Sequence, residues 1–144
     1  MDLGIQGKKA LVCASSQGIG YACATALARE GCEVVINGRV QEKLEKAAAE
    51  ISKTADNSNV RWVVGDLTTE DGRAAIVSAC PDADILINNN AGPRPGKFQD
   101  WDHDRWSGAL ESNLLAPVLM IRALLPGMRE RKFGRIVNIT SAMV

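Results

Sequence analysis

Between an apolar run ending near residue 14 and a helix-like segment starting near residue 18 stand Cys13, Ala14, Ser15, Ser16, Gln17, Gly18, Ile19 and Gly20. Small residues in a strand-to-helix turn let backbone N–H groups close on an anion, and the helix dipole adds its favourable end. Capture of a diphosphate is the chemistry such a turn suits. Two glycines there also serve a plain conformational need, because a tight turn requires their backbone angles whatever it binds. The tip of the next apolar run, Asn37-Gly38-Arg39, narrows the choice. An Asp or Glu at that tip would accept hydrogen bonds from the ribose hydroxyls of NAD or of S-adenosylmethionine. Arg39 instead offers a fork to the 2′-phosphate of NADP and a plane that stacks on adenine. The bland alternative is a solvent-exposed loop arginine. Asp66, followed by Leu67, closes a third apolar run and is placed to accept a bond from the adenine amino group. Asp-Leu-Thr-Thr-Glu reads equally as a helix-capping segment.

Such groups need elements to hold them, and strand-length apolar runs alternate along the chain with segments of helical period. Strands are predicted near residues 9–14, 33–37, 60–65, 85–88 and 134–139. Helices are predicted near 18–30, 41–52, 69–80 and 102–128, the last kinked by Pro117. Nearly continuous apolarity predicts strands buried on both faces of a parallel sheet. Doubly wound sheets commonly carry six or more strands, so five strands with the chain ending just beyond the fifth read as the first part of a domain. The edges and helix faces left over would need covering.

The 144 residues, 46% hydrophobic and 24% charged, fall in the range of a single globular domain. That excludes a disordered tail, a collagen-like repeat and a multidomain assembly. Seventeen basic against seventeen acidic residues give a net charge of zero, so no global field favours nucleic acid or an anionic membrane. No apolar run approaches the length of a membrane span, and the start lacks the apolar core of a signal peptide. A cytoplasmic location is the expectation. Cys13, Cys23, Cys32 and Cys80 form no Cys-x-x-Cys pair and have no His cluster nearby, so they read as buried reduced thiols rather than metal ligands. His103, among Asp102, Asp104 and Arg105, reads as part of the polar first turn of a helix. The basic stretch Arg129, Arg131, Lys132 and Arg135 reads as a solvated connection.

These residues resemble the short-chain dehydrogenase/reductases over all 144 residues, and among them the 3-oxoacyl-acyl-carrier-protein reductase-like members. Cys13 to Gly20 follows the family's Thr-Gly-x-x-x-Gly-x-Gly, with Cys for Thr and Ala14 for the first Gly. Asn88-Asn89-Asn90-Ala91-Gly92 corresponds to Asn-Asn-Ala-Gly with one Asn too many. Counted without a gap from Asp84, the motif asparagines are Asn88 and Asn89; matched by letter, they are Asn89 and Asn90. The loop from Gly92 to Phe98 resembles a subgroup with Gly-Pro-x-Pro-Gly-x-Phe and would border the active-site mouth. Asn113 matches the family's catalytic-helix asparagine, which holds a water in a proton relay. Ser141 matches the catalytic serine at the end of the fifth strand.

The resemblance implies a three-layer α/β/α, doubly wound Rossmann-type domain. It also implies hydride transfer between nicotinamide and a carbonyl or alcohol, with NADP(H) preferred to NAD. Cofactor contacts would come from Ala14 to Gly20, Asn37 to Arg39, Asp66, Leu67 and Asn88 to Ala91. Ser141 and Asn113 would be catalytic, and the protein a homo-oligomer joined partly through the long helix. The family's Tyr-x-x-x-Lys pair is missing from these 144 residues, so the stretch by itself is expected to be inactive. The lone tyrosine, Tyr21, would pack beside the phosphate loop. Two other classes compete: a nucleotide-binding or assembly module without turnover, and an S-adenosylmethionine-dependent methyltransferase, against which Arg39 argues.

Overall fold

The computed structural model describes residues 2–93 and 95–140. Five parallel strands are β1 (Lys9–Val12), β2 (Glu33–Gly38), β3 (Val60–Val64), β4 (Ile85–Asn88) and β5 (Arg135–Asn138), in the sheet order β3-β2-β1-β4-β5. Helices α1 (Gly18–Arg29), α2 (Gln41–Ala55) and α3 (Glu70–Ala79) join the first four strands. Alternate residues of a strand face opposite sides, and β1 feeds two cores accordingly. Ala10 and Val12 pack with Ala24, Ala28, Leu44 and Ile51 of α1 and α2. Leu11 and Cys13 pack with Ile76 of α3 and with Ala116, Met120 and Leu124 further along. This is the three-layer, doubly wound arrangement expected.

Burial on both faces holds for β1, β2 and β4, but β3 and β5 are largely open. Both form edges of the sheet, and Trp62, Val64 and Val137 remain exposed there. The long helical stretch expected over 102–128 is present as His103–Glu130, with a π turn before Pro117 in place of a simple kink. It comprises α4 (His103–Leu110), a π turn (Glu111–Leu115) and α5 (Ala116–Glu130), with Pro117 in the first turn of α5. Proline has no N–H to continue an α-helical ladder, so a wider turn is inserted before it. The stretch His103–Glu130 is long and apolar enough to cross a membrane by length and hydropathy alone. One side of it, Ala116, Met120, Leu124 and Met128, is instead buried in the second core.

The amino end of the sheet is closed by charge pairs. Lys9 Nζ lies 2.5 Å from Asp82, and Asp84 accepts from the Lys9 amide (3.2 Å) and from Arg131 Nε (3.2 Å). Arg131 also donates to the Ala83 carbonyl at 2.9 Å, and Arg135 lies over the Phe133 ring. The basic stretch is thus in part a clamp, not merely a solvated connection. Its length returns the chain beneath the sheet, where carboxylates await it.

Candidate functional site

At the carboxyl end the loop after β1 turns sharply through Ala14, whose φ of +45° lies in the left-handed region. That is the position where the related motif has glycine, and a Cβ there crowds the backbone. The turn is braced from within. Ser15, fully buried, donates from Oγ to the Val12 carbonyl (2.6 Å) and accepts from the Asn37 amide (3.0 Å). The Asn37 side chain, also buried, donates to the Gly65 carbonyl (3.0 Å) and accepts from the Ala14 amide (3.3 Å). Ser15 and Asn37 therefore spend their side chains holding the loop, β2 and β3 together.

The open side of this brace is a cleft of about 530 Å3. Ala14, Ser16, Gln17, Gly18 and Ile19 form its floor, Asn37, Gly38, Arg39, Asp66 and Leu67 one wall, and Asn89, Asn90, Ala91 and Ser112 the other. Helix α1 points its N-terminus here with no capping side chain and no acid in its first turn, whereas α3 is capped by Thr69 and α4 by Asp102. The unpaired N–H groups of that first turn remain for an anion. Gly20 makes the approach possible: a Cβ on it would lie 2.5 Å from the Ala14 carbonyl and 2.9 Å from Ser15 Cα. A dinucleotide fits what the cleft offers, namely free amide donors at its centre and separate charged groups at one end.

That end is formed by Arg39 and Asp66. Arg39 is exposed and makes no hydrogen bond or ion pair among the described residues. Asp66 Oδ1 accepts from the Thr68 hydroxyl (2.7 Å) and amide (2.9 Å). Those bonds, with a smaller contribution from the Arg39 charge, hold its carboxyl below the usual range, so it stays an ionised acceptor. Thr69, not Asp66, caps α3. Two glycines that sequence reasoning missed set Asp66 in place. A Cβ on Gly72 would strike the Asp66 carbonyl at 2.1 Å, and one on Gly65 would meet the Gly72 carbonyl at 2.8 Å. The available signal was a glycine inside a helical pattern, which favours a packing reason over a conformational one.

The three consecutive asparagines go to three different elements. Asn88, buried at the end of β4, donates to Asn138 of β5 (2.9 Å); Asn89 donates to the Ala14 carbonyl (3.0 Å); Asn90 donates to the Ser112 carbonyl (2.9 Å). Asn113 lies in the π turn, exposed, with its amide bonded locally to the Ala109 carbonyl (3.0 Å) and Ser112 Oγ (2.9 Å). Ser112 was not singled out from the sequence, and only its place beside Asn113 hinted at it. Ser141 and Arg94 lie outside the described residues. Tyr21 is turned away from the cleft, its hydroxyl 3.4 Å from Glu50 of α2. All four cysteines are free. Burial pushes the Cys13 thiol up to about 12, which keeps it neutral behind the loop. No group of three or more His, Cys, Asp or Glu side chains suited to a metal occurs among the described residues.

A parallel sheet with an open cleft at its carboxyl ends, beside a helix N-terminus without a capping side chain, defines a Rossmann-type α/β domain. More narrowly, the chain belongs to the short chain dehydrogenases, whose family profile matches residues 8–143. It is 38% identical over 141 residues to the uncharacterized oxidoreductase YvaG of Bacillus subtilis, covering 98% of this chain and 53% of that one. The structure of L-sorbose reductase from Gluconobacter frateurii, complexed with NADPH and L-sorbose, superposes with a TM-score of 0.88 at 34% identity, covering 94% of this chain and 53% of the other. A metagenomic short-chain oxidoreductase in complex with NADP gives 0.84 at 34% identity, covering 95% and 63%. The chain spans about half the length of the curated relatives it matches.

Proposed function

We propose that the whole protein is an NADP(H)-dependent oxidoreductase of a small carbonyl or alcohol substrate, with 3-oxoacyl compounds one candidate class. The observation that carries this reading is Arg39, an exposed guanidinium at the cleft wall where an NAD-selective site would present a carboxylate. A nicotinamide nucleotide would supply the hydride acceptor or donor. The chain's own part is to bind and orient it: amides of the first turn of α1 take the diphosphate, and Arg39 takes the 2′-phosphate. The unshared Oδ2 of Asp66 accepts from the adenine amino group. Asn113 and Ser141 serve the substrate side, Ser141 holding the substrate oxygen and Asn113 a water.

Proton donation is not assigned within these 144 residues, since Tyr21 is engaged with Glu50 and no Tyr-x-x-x-Lys pair occurs. Turnover by this stretch alone is not expected. A homo-oligomer and a cytoplasmic location complete the proposal. Support for the former comes from Trp106, Leu110, Leu114 and Val118, exposed at four-residue spacing along the long helical stretch. One observation favours a second reading, a nucleotide-binding module without turnover: Ala14 occupies a strained glycine position in the phosphate loop.

Titration of the protein with NADPH and NADH tests the first reading. NADPH should bind more tightly by about 1.5 to 3 kcal/mol, the worth of a charge-assisted hydrogen bond, and Arg39→Asp should narrow or reverse the gap. Equal affinities in the unmodified protein would remove the assignment. NADPH binding without carbonyl reduction by the whole protein would favour the second.

A further inference from the structure

The π turn is held against the cleft from two sides. The first involves an orphaned carbonyl. In an α-helix the Ser112 carbonyl would accept from the Ala116 amide, but that amide goes five residues back to Glu111. The next donor in line, residue 117, is proline and has none. Asn90, on the cleft wall, fills the vacancy at 2.9 Å. The second contact is Arg73 of α3. Its guanidinium donates to the Leu67 carbonyl at 2.8 Å and reaches Glu111, the first residue of the π turn, at 3.4 Å. The Arg73 side chain is only 17% exposed, so this bridge is less screened than an ordinary surface pair.

Leu67 and Asp66 belong to the cleft wall, Leu67 also lines a small cavity with Ser112, Ala116 and Pro117, and its carbonyl is tied to Arg73. Gly72, its neighbour, packs without clearance against the Asp66 backbone. A continuous line therefore runs from Asp66 and Leu67 through Arg73 to Glu111, and from there to Ser112 and Asn113. We propose that Arg73 is a positioning residue that, together with Asn90, clamps the π turn to the cleft, so that occupying the cleft also sets Asn113. The inference rests on the nucleotide reading of the cleft. Pro117 contributes by leaving the Ser112 carbonyl to Asn90.

The test is hydrogen–deuterium exchange on the whole protein, with and without saturating NADPH. In the unmodified protein NADPH should slow exchange at residues 14–20 and also, about fivefold or more, at residues 111–116. In Arg73→Met and in Glu111→Ala the first protection should persist while the second falls to less than about twofold. Arg73→Lys, which keeps one donor, should restore part of it. Glu111→Ala keeps the Arg73 to Leu67 bond and so guards against a variant that merely fails to fold. Protection at 14–20 without any at 111–116 in the unmodified protein overturns the clamp and spares the nucleotide reading. Undiminished protection at 111–116 in both variants does the same. No NADPH-dependent protection anywhere overturns both.

Discussion

The two ends of the sheet are built to opposite rules. At the amino end charged groups are paired: Lys9 with Asp82, and Asp84 with the Lys9 amide and with Arg131. At the carboxyl end polar groups are left over: the first-turn amides of α1 and the Arg39 guanidinium as donors, and one oxygen of Asp66 as an acceptor. The Ser15 and Asn37 side chains are turned inward to brace the phosphate loop rather than to cap α1. Satisfied polar groups stabilise; unsatisfied ones held rigidly by satisfied neighbours bind. The difference explains how one small sheet can be closed and stable at one end and open to a ligand at the other.

Substitutions at the two ends should separate these properties. The largest effect is expected from Gly20→Ala, whose Cβ would meet backbone at 2.5 and 2.9 Å. Neither backbone atom can move without opening the loop. NADPH affinity should be lost in a titration, with stability lowered by about 1 to 3 kcal/mol. Next is Asp84→Ala at the other end. It leaves the Lys9 amide and Arg131 short of an acceptor and should cost roughly 1 to 3 kcal/mol in urea unfolding, while NADPH affinity stays unchanged. A change in affinity would mean that the two ends are not independent.

Smaller effects sharpen the contrast. Ala14→Gly relieves a φ of +45° and should raise stability by about 1 kcal/mol in thermal unfolding without weakening NADPH. Smallest is the half-buried Lys9–Asp82 pair. Its hydrogen bond lowers the Asp82 carboxyl below 3.8 and raises the Lys9 ammonium above 10.5. A lowered carboxyl contributes stability above its unfolded value and loses it as pH falls through the folded one; a raised ammonium contributes below its unfolded value and loses it as pH rises. The difference between the unmodified protein and Asp82→Asn should therefore be flat from about pH 4 to 10 and vanish in stronger acid, as read by melting temperature.

The sheet, its order of elements and the cleft residues at its carboxyl end were legible because strand and helix periods differ and because anion capture needs small residues in a known place. Burial of β3 and β5 was not, since Val-Arg-Trp-Val-Val and Arg-Ile-Val-Asn read much the same at an edge as in the middle of a sheet. The π turn was invisible because it differs from an α-helix by one residue; only Pro117, four residues after Asn113, pointed to a break. Arg73 and Ser112 were missed because their parts depend on contacts between elements far apart in the chain, whereas Gly72 acts on Asp66 only six residues away. Arg131 looked like a solvated charge until the position of Asp84 was known.

The most direct measurement is an amide chemical-shift map of the protein titrated with NADPH. The account expects the signals of residues 14–20, 38–39, 66–67 and 89–91 to move together with one saturating midpoint, while those of 82–84 and 131 stay in place. Shifts centred on the amino end, or none at all at saturating NADPH, would contradict the division of the molecule into a closed end and a nucleotide-binding one.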